Sequence, residues 1–215
     1  MTMGQDPADA EGQAVLLADV RHQVRNTLAT MRMIARRSAE CSETLDAYAA
    51  HLDGRLAALA RVQNVILQNA TAGIDLGHLV TDELVSARAY QDERSLVEGP
   101  EVRLDLSAAE ALALALHELT TNALKFGALA SPSGRLSVTW GIADRDGESR
   151  LVFDWVESGV VLDAQAPRRH GFGTVVLREM LAQTLKAEVN LTFASDGLAC
   201  RIVMPLTERV LHGGA

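Results

Sequence analysis

The 215 residues allow one large domain or two small ones. With 48% hydrophobic and 22% charged residues the chain can bury a real core, which argues against wholesale disorder. The net charge of −8 argues against nucleic acid as the main partner, because a phosphate backbone is bound by a basic field.

Residues 1–12 are polar and acidic, carry no charged-then-apolar leader pattern, and read as a disordered lead. Over residues 14–39 a helical pattern runs without Pro or Gly. A second runs over 43–68, with Leu45, Tyr48, Leu52, Leu56, Leu59, Val62 and Ile66 at helical spacing. Gly54 is a blemish there, costing about 1 kcal/mol against Ala. The short connection predicts an antiparallel hairpin, and its small core predicts a homodimer closed as a four-helix bundle.

After a break at 71–73 the pattern becomes mixed α/β. A helix is expected over 76–90 and a short strand around Val102, Leu104 and Leu106. Residues 111–116 read A-L-A-L-A-L, which by period alone is a strand. Ala and Leu are strong helix formers, however, and Ser107 with Glu110 reads as a capping box. A helix over 108–126, ended by Gly127, is therefore expected. Strands follow at 136–142 and 151–156, then a loop of Gly, Arg and Pro, then a helix over 175–185. A closing hairpin pairs 189–193 with 198–204 around Asp196-Gly197. No apolar run approaches the roughly 18 residues of a membrane span. Cys41 and Cys200 lack a disulfide or metal-ligand pattern and read as buried thiols of a reducing, cytoplasmic setting.

On a wheel of about 100° per residue, Val20, Val24, Thr27, Met31, Ile34 and Ser38 share one face of the first helix, and His22 lies almost opposite. His22, Arg25, Ala29, Arg32 and Arg36 form an outer stripe, and no Asp or Glu occurs between Val20 and Ala39. A basic stripe around an exposed imidazole suits attracting phosphate and docking an acidic partner. Asp19, three residues earlier, can accept the imidazole N–H and leave the other nitrogen nucleophilic. Taken alone, the pattern is more often that of an ordinary surface histidine than of a phosphoacceptor.

On the capped helix, Glu118 and Asn122 are spaced i, i+4, with Lys125 three further on. Carboxylate, amide and ammonium on one side suit Mg²⁺–triphosphate, with the amide on the cation, the lysine on phosphate and the carboxylate as base. A solvated helix face would look the same. Gly171-Phe172-Gly173-Thr174 opens the next helix, where backbone N–H groups can meet an anion, and Arg168 and Arg169 precede it. A P-loop motif is absent.

The run R-H-Q-V-R-N-T-L-A-T-M-R-M-I-A at 21–35 resembles the phosphoacceptor box of the HWE family of bacterial sensor histidine kinases, named for a histidine in the N-box and a Trp-x-Glu. H-E-L-T-T-N-A-L-K-F-G-A-L at 117–129 is similar to that N-box, and Trp155-Val156-Glu157 to the second signature. Further likeness lies in G-R-L-A-A-L-A-R (54–61), G-F-G-T (171–174) and G-L-A-C-R-I-V-M-P-L (197–206), so the resemblance covers about residues 14–206 in family order.

The resemblance implies that His22 is phosphorylated from ATP, with Asn122 on Mg²⁺, Glu118 as the acidic residue before it and Lys125 on phosphate. It implies that Glu157 and Gly159 meet adenine, and that Gly171 and Gly173 form the second glycine box beside the ATP lid. The implied fold is a dimeric helical hairpin (13–72) followed by a Bergerat-type (GHKL) α/β sandwich (73–208) and a tail (209–215). The implied activity is autophosphorylation and transfer to an aspartate of a response-regulator receiver domain. The family usually continues its Trp-x-Glu with two glycines and prolines, whereas this chain has Ser158-Gly159-Val160-Val161. The rival reading is a histidine phosphotransfer protein of the same architecture whose catalytic domain no longer binds ATP.

Overall fold

A computed structural model describes residues 7–68, 73–89, 94–145, 147–160 and 172–212, without the side chains of 7–16, 19, 67, 68 and 212. The chain divides into two compact units, Met1–Leu52 and Asp53–Ala215, so the division falls inside the second helix rather than after it.

The first unit is helical. Helix α1 spans Pro7–Cys41, so residues 7–12, expected as part of a disordered lead, are already helical. Ser42, Glu43 and Thr44 connect to α2, Leu45–Gln68. The Thr44 hydroxyl caps α2 by accepting from Ala47 N–H at 3.1 Å. Ser42 Oγ lies 3.5 Å from His51 Nδ1 within the turn. The expected apolar face of α1 is buried only at Ile34 and Ser38, while Val20, Val24 and Met31 remain exposed.

The second unit carries two sheets. The larger, in the order β2-β4-β5-β7-β6, comprises β2 (Ser95–Glu98), β4 (Arg135–Arg145), β5 (Glu148–Ser158), β6 (Glu188–Ala194) and β7 (Gly197–Pro205). Only β2 and β4 run parallel; the remaining pairs are antiparallel. Leu136, Val138 and Trp140 on β4, Leu151, Phe153 and Trp155 on β5, and Cys200, Ile202 and Met204 on β7 are all buried. The period of two puts them on one face, the wall of the core. Trp140 stacks on Phe153 with ring centroids 6.3 Å apart.

A smaller sheet orders β1 (Ile74–Asp75), β3 (Val102–Leu104) and β8 (Val210–His212). Residues 210–212, expected in the tail, therefore close a sheet instead, pairing with 102–104. Helix α3 spans Leu76–Ser86 and α4 spans Leu106–Phe126. The last helical stretch passes from α5 (Phe172–Val175) through a π-helical turn (Val176–Met180) into α6 (Leu181–Leu185). Cys200 is buried as expected, but Cys41, at the end of α1, is exposed. Among the described residues no helix is long and apolar enough to cross a membrane.

The A-L-A-L-A-L stretch is helical because α4 is a core helix, buried at every residue from Ala108 to Leu116. A helix apolar on all sides shows no 3.6 period, and that loss is itself the mark of burial. Its cap is not the expected Ser107–Glu110 box. Asp105 is the N-cap, accepting from Ala108 N–H at 2.6 Å. Glu110 is drawn instead to Gln63 of α2.

Candidate functional site

Glu118, Asn122 and Lys125 occupy the last two turns of α4. Asn122 and Lys125 are exposed, while Glu118 is only 8% exposed. Gly173 of α5 lies directly over this face. A Cβ there would stand 3.3 Å from Glu118 Oε2 and 3.6 Å from Asn122 Nδ2. Bare backbone thus meets the carboxylate and amide, and a side chain at 173 would fill that space. Gly171 falls outside the described residues, as do Arg168 and Arg169.

Glu118 is already engaged. Arg55 of α2 donates from Nε to Oε1 at 2.8 Å and from Nη2 to Oε2 at 3.2 Å, with both side chains buried. The same guanidinium lies over the Phe172 ring, 3.7 Å from its centroid. His117, the adjacent residue, holds Glu83 of α3 through Nδ1 at 2.9 Å, and Arg61 of α2 pairs with Glu83 as well. His117 thereby ties α4 to α3. His117 faces Gly54, where a Cβ would come within 2.8 Å of its Nε2.

The Trp-x-Glu pair is one connected unit. Trp155 and Glu157 lie two apart on β5 and so share a face. Trp155 Nε1 donates to Glu157 Oε1 at 3.0 Å, and Glu157 Oε2 accepts from Ala128 N–H at 2.8 Å. Glu157, 4% exposed, therefore ties the sheet to the chain just beyond α4. Gly127 leaves room for it, since a Cβ there would fall 1.9 Å from Oε2. Burial raises the Glu157 carboxyl above its ordinary value, opposed by the two hydrogen bonds. Trp155 is wholly buried, as a core tryptophan.

Gly159 follows with φ of 72°, a left-handed conformation that favours glycine. Its carbonyl accepts from Ser131 at 3.3 Å and Ser133 at 3.1 Å. The loop after α4 and the end of β5 are thus joined at both Glu157 and Gly159.

In the helical unit His22 is exposed, as are Arg25, Ala29, Arg32 and Arg36. The Asp19 side chain is outside the described set. Arg36 and Arg37 both pair with Glu40, at 3.0 and 3.1 Å. Among the described residues no group of three His, Cys, Asp or Glu side chains could hold a metal by itself. The exposed Asn122 amide offers one oxygen of the kind that hard cations take.

Arg55, Arg61 and Glu83 were not singled out from the sequence as functional residues. Arg55 and Arg61 stand in the run 54–61, but 63 residues separate Arg55 from Glu118, and no local period reports such a pair.

The family model described as HWE histidine kinase matches residues 19–101. The blue-light-activated histidine kinase of Brucella ovis is 30% identical over 203 residues, 94% of this chain and 41% of that protein. The protein of the same description from Brucella anthropi is 28% identical over 198 residues, covering 92% and 40%. The chain thus spans about two fifths of the length of these relatives. The solved histidine kinase domain of the blue-light activated histidine kinase of Erythrobacter litoralis shares the fold, with a TM-score of 0.59 and 22% identity over 94% of this chain and 96% of that one.

Proposed function

The chain belongs to the HWE histidine kinase family, and on that ground we propose that it is a cytoplasmic protein-histidine kinase of a two-component system. It takes the γ-phosphoryl group of Mg²⁺-bound ATP onto His22 and passes it to an aspartate of a response-regulator receiver domain. The observation that carries this reading is the bare backbone of Gly173 lying against Glu118 and Asn122 on α4.

Bound Mg²⁺–ATP would supply the phosphoryl group and balance its charge. Asn122 would hold the cation, Lys125 the phosphates, and Gly159 and Gly173, with Gly171, would let backbone approach the nucleotide. Glu157 fixes the loop that leads away from α4, and its adenine contact would come through whichever lone pairs Trp155 and Ala128 leave. A ring nitrogen of His22 attacks phosphorus as the bond to the ADP oxygen breaks, and Glu118 takes the proton from the other ring nitrogen. Residues 13–72 supply the acceptor and the homodimer interface, and 73–208 the nucleotide site.

The test is incubation of the purified chain with Mg²⁺ and γ-labelled ATP. Acid-labile, base-stable label that disappears in His22→Ala supports the kinase. No label, no nucleotide binding by calorimetry, and labelling by a phosphorylated receiver domain without ATP would establish the phosphotransfer protein in its place.

A further inference from the structure

We propose that Arg55 is a latch on Glu118, and that release of the second half of α2 from α4 is the step that makes the site competent. The inference rests on the reading of Glu118 as the proton acceptor for His22. A base must come within hydrogen-bonding reach of the proton it takes. Both Glu118 oxygens instead hold the Arg55 guanidinium, at 2.8 and 3.2 Å, which is stacked on the Phe172 ring. An imidazole cannot approach a carboxylate so enclosed, and the two arrangements exclude each other.

The polar contacts set a single register. Arg55 meets Glu118 and Gln63 meets Glu110, eight residues apart on each antiparallel helix. Eight residues of α-helix span about 12 Å on both sides, so the rungs match. A slip of one turn in either direction would set Leu59 against one of the two buried glutamates, leaving that charge without its partner. Arg61 on Glu83, together with His117, adds a third rung on α3. Intermediate positions are therefore costly, and α2 is either seated or released.

A buried arginine–glutamate pair is a poor stabiliser compared with an apolar contact of the same size, and its best-attested use is to fix one register or one of two states. Its place here is informative. The guanidinium joins Glu118 of the N-box helix to Phe172, one residue before Gly173, so it ties together the two elements that meet at the candidate site. Arg55 is thus a positioning residue, acting through Glu118 rather than on the nucleotide.

The test compares wild type, Arg55→Ala and Arg55→Lys in the full chain with Mg²⁺ and γ-labelled ATP, alongside amide hydrogen exchange. Arg55→Ala is expected to label His22 at least about fivefold faster than wild type, the lower bound of common coupling between states. KM for ATP should stay unchanged and exchange should quicken across residues 55–66. Arg55→Lys keeps the charge but loses the two-pronged geometry. It should fall between the two, and it decides the matter if the alanine variant does not fold. Wild-type labelling with equal or slower labelling in the folded variants overturns the latch and leaves the kinase standing. Absence of label in all three proteins overturns the kinase reading and the latch with it.

Discussion

The glutamate of Trp-x-Glu shows how one side chain can serve both scaffold and titration. Burial holds the Glu157 carboxyl above its ordinary 4.5, while Trp155 and the Ala128 N–H pull the other way. A group with a raised folded value favours the folded state while it keeps its proton. That contribution is complete below 4.5 and is lost as pH rises through the raised value. Glu157→Gln has no proton to lose, so wild type should lose stability relative to the variant as pH climbs from about 4.5, as urea unfolding at several pH values would show. A pH-independent difference would mean that the carboxyl titrates alike in both states. The two cysteines give a second residue-scale prediction. Burial, with the charge of Asp154 adding to it, pushes the Cys200 thiol up to about 12, and Cys41 is exposed. At pH 8 only about one Cys200 in ten thousand is thiolate. A thiol reagent should therefore modify one cysteine, Cys41, in the native protein and two in denaturant, as intact mass would record.

At the scale of elements, Gly54 reads from sequence as a flaw in α2 and in the structure as a fitted position. Alanine is the better helix former by about 1 kcal/mol, yet its Cβ would come within 2.8 Å of His117 Nε2. That ring is tethered to Glu83 and cannot simply swing away. Gly54→Ala should therefore lower stability instead of raising it, by about 1–3 kcal/mol as an overpacked contact. Adding His117→Ala should recover part of the loss, measured by a double-mutant cycle in denaturant. The same elements mark what the sequence makes legible. The long helices, β4, β5 and the β6–β7 hairpin declare themselves through their own periods. The N-box helix is found through its composition, because burial on all sides erases its period. Strands β1, β2 and β8, of two to four residues, are too short to show alternation, and partners distant in sequence define them. The false capping box has a like cause. Asp105 and Ser107 are both good caps locally, and the choice is made by Gln63 drawing Glu110 away across 47 residues. Glu118, Asn122 and Gly173 were legible as motif residues, but the guanidinium covering Glu118 was not.

For the whole molecule, α1 carries an exposed apolar surface. Leu17, Val20, Val24, Leu28 and Met31 descend one side of it at spacings of three and four, each between 38% and 54% exposed. A contiguous apolar stripe of this kind on one helix marks a contact surface. His22 stands on the opposite side, in the basic stripe. A second copy of the hairpin laid on the apolar side would bury it and leave the imidazole open to phosphate and to a receiver domain. The chain should accordingly sediment as a dimer at micromolar concentration. Val24→Glu would remove two buried valines from that interface and place two carboxylates there. Losing the valines alone costs about 3 kcal/mol across the pair, roughly a hundredfold in Kd, and the carboxylates add to it. Sedimentation of the variant should thus show a monomer where wild type is paired, with far-UV circular dichroism of the helices retained. If wild type itself stays monomeric at a hundred micromolar, the stripe serves some partner other than a second copy. In that case phosphoryl transfer to His22 is expected within one chain, with a labelling rate independent of protein concentration.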